Sequence, residues 1–433
     1  VLTAVLAIVA ALCLSTLIQP ATALAGAFCM FGFELWAQAS DANFATRGGR
    51  PLINKLIGAI VVLAVARKIF GGDPILRGYP VVGLLVFALF FYALASTLWA
   101  PNPARSLRAF LGQAPYIITI VFLCPLLCSS TRDFERMFVA TFVLGTVVAF
   151  LLMFTVEWKG RSVVLPTSIV AYKANPLVTG SLGGTIAIIA AFLFWPKLRF
   201  LNILKWIVVV FGVLLAIRSG SRGQTFAAIM VILACWPIAH RLHGFKAYAI
   251  LGYAIIVIVG ATFWALDAYW ADSDRWTEDA LDEATGGRLH RSSHVLDYWF
   301  KNIATIFFGL GSSASGDLIG TYSHVVPVDI LTEEGILGFL IYVGIILSCV
   351  MNGLSSFFLV RDNPVQRTQL AILCAIFMYY FVLSLKQGTM LGNTLLFMVA
   401  ILMGKYHKVL SHRHRLAQAT ERDHPRASTT NLG

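Results

Sequence analysis

A short segment, Arg218–Gly223, combines two arginines with the residues of a tight turn. A guanidinium group binds phosphate oxygens in pairs and does not lose its charge. If a helix begins at Arg222, its free N–H groups and positive dipole also favour an anion. The segment therefore predicts a phosphate-binding turn; the alternative is an ordinary capped hairpin whose arginines only mark one side of a membrane. The residues expected to shape the turn or cap the helix are small: Ser219, Gly220, Ser221 and Gly223.

His324 follows a polar segment that runs from Leu266 to Ser323. Imidazole is the side chain whose unperturbed pKa suits proton transfer near neutral pH. A single histidine is more often structural, so this hypothesis depends on basic residues expected on the same side of the membrane. Arg288 belongs to that set and, with Arg222 and His324, forms the predicted catalytic group.

Four other groups are weaker candidates for chemistry. Asp272–Asp274 has the D-x-D spacing of many glycosyltransferases, but no strand flanks it, so we interpret it as an exposed acidic turn. His290 and His294 have the i,i+4 spacing of metal ligands on a helix, without an evident third ligand. Gly309–Gly311 lacks the lysine of a phosphate loop, and we expect a flexible loop. Glu34, inside an apolar run, is a proton-relay residue or lies near a helix end. No metal or cofactor is predicted.

The composition identifies the class of protein in which these residues must be positioned. Of 433 residues, 58% are hydrophobic and only 12% are charged, whereas soluble proteins carry about 25% charged residues. The apolar runs are too continuous for barrel strands, which alternate polar and apolar residues. The sequence therefore predicts an all-α polytopic membrane protein. Its net charge of +12 is explained first by cytoplasmic loops, so nucleic acid is not an expected partner. All seven cysteines lie in apolar runs, which argues against disulfides.

About twelve transmembrane helices are expected, because a crossing takes about 20 apolar residues. Residues 52–66 form a further apolar stretch, for which an interfacial or re-entrant position is as plausible as a crossing. The candidate spans are 1–18, 20–38, 80–99, 110–128, 135–155, 176–195, 203–218, 224–239, 247–265, 336–360, 367–385 and 390–404.

The basic tail sets the predicted orientation. Residues 405–433 contain six Lys or Arg against two acids, so this end should be cytoplasmic and, after about Leu416, disordered. Twelve crossings then place both termini in the cytoplasm and the polar segment outside. The chain divides into four parts: a helical bundle (1–265), a periplasmic segment with the candidate catalytic residues (266–335), C-terminal transmembrane helices (336–404) and the tail (405–433).

The predicted outer side holds many basic residues, although such residues usually favour the cytoplasmic side. An anionic ligand is the simplest reason, and snorkelling towards lipid headgroups is the alternative. The set comprises Arg105, Arg108, Lys159, Arg161, Lys173, Arg218, Arg222, Arg288, Arg291 and Lys386.

Together these features resemble the O-antigen ligase and polymerase family, membrane transferases of lipopolysaccharide and exopolysaccharide assembly. The resemblance covers roughly residues 170–345 and implies a GT-C-like architecture with one large periplasmic segment. It rests on an ordered set of sequences: SGSRG (219–223), GGR (286–288), Trp299, FGLG (308–311), His324 and EEGILG (333–338).

The resemblance implies transfer of a glycan from undecaprenyl diphosphate to a sugar acceptor, at the periplasmic face of the bacterial inner membrane and without a metal. Arg222 and Arg288 would stabilise the departing diphosphate, and His324 would take the proton of the acceptor hydroxyl in a displacement with inversion. Further candidates for diphosphate binding, from charge and predicted side alone, are Arg218, Arg291 and Lys173.

Ligation to a lipid A-core acceptor is the first choice among the implied reactions. Ligases of this family commonly have asparagine after the histidine, whereas this chain has Val325. A polymerase that extends a growing polysaccharide from the same donor therefore stays open. A transporter or flippase for an anionic or lipid-linked solute is a different class, as is a scaffold, for which the turn and His324 would be dispensable. Membrane lipids are expected partners in every case.

Overall fold

The protein is a bundle of long helices, as the all-α prediction requires. The structure, a computed structural model, describes residues 1–41, 44, 52–73, 79–160, 162–166, 172–173, 175–240, 249, 260 and 278–423. A small antiparallel sheet of β1 (Trp158–Lys159), β2 (Ser162–Leu165) and β3 (Tyr172–Lys173) follows the helix that ends at Phe154. The helices are α1 (Leu2–Ile18), α2 (Ala23–Ser40), α3 (Leu52–Phe70), α4 (Val81–Ser96), α5 (Pro103–Tyr116, continued by tighter and wider turns to Leu127), α6 (Thr131–Phe154), α7 (Pro176–Phe192), α8 (Arg199–Arg218), α9 (Arg222–Ala239), α10 (Glu278–Trp299), α11 (Ile303–Phe308), α12 (Ala314–Leu318), α13 (Val326–Glu333), α14 (Gly335–Leu359), α15 (Pro364–Ser384) and α16 (Thr394–Asp423).

Long apolar helices support a membrane-embedded protein. Within the described chain, eight helices are long and apolar enough to cross a membrane, and α1, α4 and α7 are shorter apolar helices. The predicted span 247–265 is described only at residues 249 and 260. The number of crossings therefore stays a prediction.

Side-chain caps fix the starts of several helices. At α6, the Asp133 backbone N–H donates to Ser130 Oγ (3.2 Å) while the Ser130 N–H donates to the Asp133 carboxylate (2.9 Å), a reciprocal capping box. At α7, Asn175 Oδ1 accepts from the Leu177 N–H (3.0 Å). These contacts satisfy N–H groups that have no partner inside the helix.

One end of the bundle, which we name the tail end, carries the C-terminal half of α16. There the Lys408 ammonium donates to the Tyr79 carbonyl before α4 (2.6 Å), and the Tyr406 hydroxyl donates to the Gln366 carbonyl in the first turn of α15 (2.9 Å). We name the opposite end the site end. It carries the ends of α4, α6 and α8 and the starts of α7, α9 and α14.

Buried basic side chains at the tail end stabilise the ends of neighbouring helices. A cation beside the last carbonyls of a helix is electrostatically favourable. These residues therefore have a structural role in addition to marking one side of the membrane. The donors and their acceptor carbonyls are Lys68 to Leu127 (2.8 Å), Lys205 to Leu193 (2.6 Å) and Arg367 to Ile238 (3.0 Å).

Helix α3 contains the stretch whose position the sequence leaves open. At its start, the Asn54 N–H donates to Glu34 Oε2 near the end of α2 (3.0 Å). At its end, Arg67 donates to the Thr16 carbonyl near the end of α1 (3.2 Å). The helix therefore runs the length of the bundle against α2. Glu34 fits its helix-end interpretation, because a carboxylate favours the positive start of a helix.

This additional full-length helix changes the predicted direction of the first two spans. The Trp36 Nε1–H donates to Thr155 Oγ1 (2.8 Å), so the end of α2 lies beside the end of α6 at the site end. The twelve-span layout put the end of α2 on the cytoplasmic side with the tail, and this part of it is wrong. The start of α1 consequently lies opposite the C-terminal tail. In the sequence, the apolar stretch 52–66 is flanked by Lys55 and Arg67 and is short for a full crossing, whereas the helix extends from Leu52 to Phe70.

The last helix also extends beyond its expected end. α16 continues to Asp423, past Leu416, where disorder was expected to begin. The prediction is wrong up to Asp423, because a helix started by packing continues easily through Ala, Gln, Glu and Arg residues. Residues 424–433 lie outside the described part of the tail.

Two motifs from the sequence form one structural unit at the site end. In the FGLG motif, the Leu310 N–H donates to the Thr332 carbonyl (2.8 Å). Gly309 (φ +83°) and Gly335 (φ +66°) touch so closely that a Cβ on either residue would overlap the backbone of the other segment. Only glycine fits such positions. The expectation of a flexible loop at 309–311 is therefore wrong: close backbone packing ties the polar segment to α14.

We predict that Lys205→Met destabilises the protein. The substitution keeps most of the apolar stem but removes two hydrogen bonds from a buried ammonium to the Ala191 and Leu193 carbonyls. We expect the free energy of unfolding to fall by about 1–3 kcal/mol, measured by reversible denaturation in mixed micelles. The matched variant Lys197→Met changes an exposed lysine and should stay within about 0.5 kcal/mol of the parent protein. Equal effects of the two substitutions would contradict this capping role.

Candidate functional site

The turn between α8 and α9 lies at the site end, packed against the start of α7. Gln224 Nε2 donates to the Leu177 carbonyl (2.8 Å). Gly180 is so close to the turn that a Cβ there would overlap Gln224 Oε1 and lie 2.8 Å from Ser219 Oγ. Gly220 has a φ of +67°, which glycine adopts without strain. The sequence thus predicted the turn, and α7 holds it in place.

The start of α9 concentrates positive charge. Its first turn contains no acidic residue, and Ser221, at the capping position, makes no side-chain cap; its buried hydroxyl has no hydrogen-bond partner in the described structure. Arg222 is the first helical residue. The Lys386 side chain packs on Gly223, where an added Cβ would overlap its ammonium group. Two cations beside the positive end of a helix make this position electropositive, as an anion-binding position would be.

His324 is held in a backbone conformation that is uncommon for a residue with a Cβ. Its φ is +67°, in the left-handed region, and such strain persists where the surroundings impose it, frequently at functional sites. The buried Ser323 hydroxyl donates to Asp329 Oδ1 (2.6 Å), and the Val325 N–H donates to Ser323 Oγ (3.1 Å). The imidazole lies against the Tyr322 ring, with centroids 4.2 Å apart.

Asp329 supports this segment from α13, and two further acids, Glu333 and Glu334, lie at the end of that helix. Burial raises the pKa of Asp329 well above its usual value, and the neighbouring Glu333 raises it further. Burial also raises the pKa of Glu333, although its carboxylate accepts from the N–H groups of Ser313 (2.8 Å) and Ser315 (3.2 Å). The pKa of Glu334 rises to about 8, mainly through burial. Burial thus disfavours the charged forms of all three carboxyl groups.

A cavity of about 350 Å³ lies among α2, α7, α15 and the loop before α16. Tyr322 and Gln387 are part of its wall, and they adjoin the His324 and Lys386 positions in sequence. Of the described residues, neither Arg222 nor His324 itself lines the cavity. Tyr322, two residues before His324, and Gln387, the residue after Lys386, therefore share one cavity, and its other walls belong to α2, α7 and α15.

The remaining predicted residues are less informative. Arg291 is exposed on α10, which packs against α13. Arg288 lies on α10 and Lys173 on β3, but their side chains lie outside the described residues. Arg218 contacts the Met153 carbonyl (3.4 Å) and the Trp158 ring (4.9 Å), which favours a structural role.

The other candidate groups have structural partners or lie outside the description. Arg105 pairs with Asp317 (2.6 Å). The His290 and His294 rings contact each other, and no group of three potential metal ligands occurs among the described residues. The acidic turn at 272–274 lies outside the described residues.

Sequence reasoning missed the residues that complete the site. Lys386 was grouped with ordinary outer basic residues because nothing in the sequence connects it with Gly223. Gln387 and Asn393 stand in a short polar loop that looks like any connection between two helices. The spacing of Ser323 and Asp329, with a serine before the histidine and an acid after it, was the one available signal for the support of His324.

We predict that Glu334→Gln weakens the dependence of stability on pH. Because the folded pKa of about 8 lies above the ordinary value of 4.5, the folded protein binds more protons between these values, and its stability falls as pH rises through this range. Glutamine stays neutral, so the loss of thermal stability between pH 5 and pH 9 should be smaller in nanodiscs. Asp329 and Glu333 should account for the pH dependence of stability that remains in this variant. Exposed Glu135→Gln is the control; a pH profile of Glu334→Gln that coincides with the parent profile would contradict this account.

No protein-family model matches the chain, and no curated protein is significantly similar to it.

Proposed function

We propose that this protein is a glycosyltransferase that takes a glycan from undecaprenyl diphosphate and transfers it to a sugar acceptor. The observation that carries the proposal is the start of α9, where Arg222 and Lys386 adjoin a helix N-terminus without an acid in its first turn. A diphosphate carries the charge that such a position favours. Gln387, next to Lys386, and Tyr322, near His324 in sequence, line one cavity, which supports a common site.

The proposed reaction is a direct displacement at the anomeric carbon. The acceptor hydroxyl oxygen forms a bond to that carbon as the bond to the diphosphate oxygen breaks, and the configuration inverts. His324 takes the hydroxyl proton, and undecaprenyl diphosphate leaves with both electrons of the broken bond. Arg222 and Arg288 stabilise the charge that develops on the leaving group, which is the kind of interaction that contributes most to catalysis. No metal takes part.

The proposal includes a GT-C-like arrangement of about twelve crossings in a bacterial inner membrane, with the site end facing the periplasm. A lipid A-core acceptor, which makes the protein an O-antigen ligase, is the first choice. A growing polysaccharide acceptor, which makes it a polymerase, is the alternative because Val325 replaces the asparagine of the ligases.

A transporter or flippase fits the structure less well. Such proteins place polar and charged groups near the middle of the membrane, usually on broken helices. Here the buried Lys68, Lys205 and Arg367 contact helix ends at the tail end, and Arg222 and Lys386 lie at the site end. Among the described residues, basic groups thus collect at the two ends of the bundle.

We predict that Arg222→Ala and His324→Ala each abolish detectable glycan transfer in cells. Loss of one group that stabilises the transition state lowers the rate by about 10²- to 10³-fold, and loss of a general base by about 10²- to 10⁴-fold. Surface polysaccharide on a gel is the measurement, and Arg288→Ala tests the third predicted residue. The control is Arg108→Ala, which removes an exposed arginine bonded to its own helix at the Ala104 carbonyl.

The gel also separates the two reactions. Loss of all long chains with accumulation of lipid-linked polymer indicates a ligase. A single repeat that remains on the lipid core indicates a polymerase. Normal polysaccharide with all three substitutions, at normal protein levels, would contradict the transferase and favour a scaffold.

A further inference from the structure

The described residues around the cavity near the start of α9 are apolar or polar but uncharged. None of the described residues that line it is Asp, Glu, Lys, Arg or His. Its volume of about 350 Å³ lies at the lower end of the roughly 300–1,000 Å³ typical of ligand pockets. A small neutral ligand therefore fits it better than a phosphate group, which would leave its charge unpaired in such surroundings.

The lining combines two kinds of surface. Phe28 and Phe31 of α2, with Leu383 of α15, provide apolar and aromatic surface. Asn393 and Gln387 bring amide groups from the loop after α15. Sugar rings present apolar C–H faces and hydroxyl edges, so this combination suits a pyranose.

Among the described residues of the cavity wall, one hydrogen-bond acceptor has no donor. Gln387 Oε1 is buried without a partner in the described structure. A second such oxygen, Gln224 Oε1, lies at the neighbouring turn; its amide nitrogen is bonded to the Leu177 carbonyl, which fixes the oxygen as the free end. Amide oxygens accept hydrogen bonds from hydroxyl groups and repel phosphate oxygens. The unused acceptor of Gln387 in the cavity wall thus favours a ligand with O–H donors.

We propose that this cavity is a subsite for one uncharged sugar ring, separate from the anion position at Arg222 and Lys386. Gln387 accepts a hydrogen bond from a ring hydroxyl, and the phenylalanines contact the apolar face of the ring. The assignment of that ring to the transferred glycan rests on the proposed function; the preference for a neutral sugar rests on the cavity alone. A glycan that carries a uronic acid at this position would be excluded.

The test is binding of free methyl pyranosides to the full chain in lipid nanodiscs, which avoids sugar-based detergents. Saturation-transfer NMR compares an uncharged methyl hexopyranoside with the corresponding methyl hexuronide. We expect the neutral sugar to bind and the hexuronide to bind at least about fivefold more weakly. Gln387→Leu should weaken neutral-sugar binding about tenfold, since it removes one hydrogen bond to a buried group.

Two further variants test whether the effect is specific to the Gln387 acceptor. Gln387→Glu retains a hydrogen-bond acceptor of similar shape, so it should weaken neutral-sugar binding less than Gln387→Leu does. Its added negative charge should weaken hexuronide binding further than in the parent protein. Gln418→Leu changes an exposed glutamine on α16 and should leave all binding unchanged. Thermal unfolding of each variant shows whether the fold is retained.

Three outcomes would overturn the inference. The first two are no sugar binding by the folded parent protein and equal binding of both sugars. The third is displacement of the sugar by farnesol without any effect of Gln387→Leu, which would identify a lipid groove. These outcomes differ from failure of the proposed function. Sugar binding without any glycan transfer would contradict the transferase function but not the subsite. Glycan transfer without sugar binding would contradict the subsite but not the transferase function.

Discussion

The account depends on one electrostatic arrangement, two cations held against the positive end of a helix. At the tail end, Lys68, Lys205 and Arg367 donate to carbonyls at helix ends, where positive charge is favourable. At the site end, Arg222 and Lys386 adjoin the start of α9, where positive charge is unfavourable and the first turn offers no acid. The same type of side chain thus stabilises the fold at one end and, at the other, forms the proposed anion site. That contrast is the physical reason to regard the site end as functional.

The rest of the site end fixes geometry around this charge. Gly180 permits close contact between α7 and the turn, and the contact of Gly309 with Gly335 ties the polar segment to α14. From there α13 carries Asp329, which bonds Ser323 and so determines the backbone at His324. A side chain at any of these glycines would prevent the close contact. The glycines therefore position the turn before α9 and the polar segment, although they have no reactive group.

Much of this arrangement could be predicted from the sequence, where a local pattern decides it. Apolar runs gave the helices, and Arg218–Gly223 gave a turn followed by a helix that begins at Arg222. What depends on long-range packing could not be predicted. The contact of Lys386 with Gly223 joins distant parts of the chain. The two ends of the full-length α3 likewise bond distant residues, Glu34 of α2 and Thr16 of α1. The position of Gln387 in a cavity wall likewise depends on packing between distant parts of the chain.

The most direct measurement is the affinity of a soluble isoprenyl diphosphate, farnesyl diphosphate, for the protein in neutral-lipid nanodiscs at two salt concentrations. The account predicts binding that weakens about tenfold or more with Lys386→Met or Arg222→Met, because each removes a charged hydrogen bond. It also predicts that both variants lose part of the salt dependence, while Arg108→Met changes neither. Equal affinity and equal salt dependence in all four proteins would contradict the claim that the start of α9 binds a diphosphate.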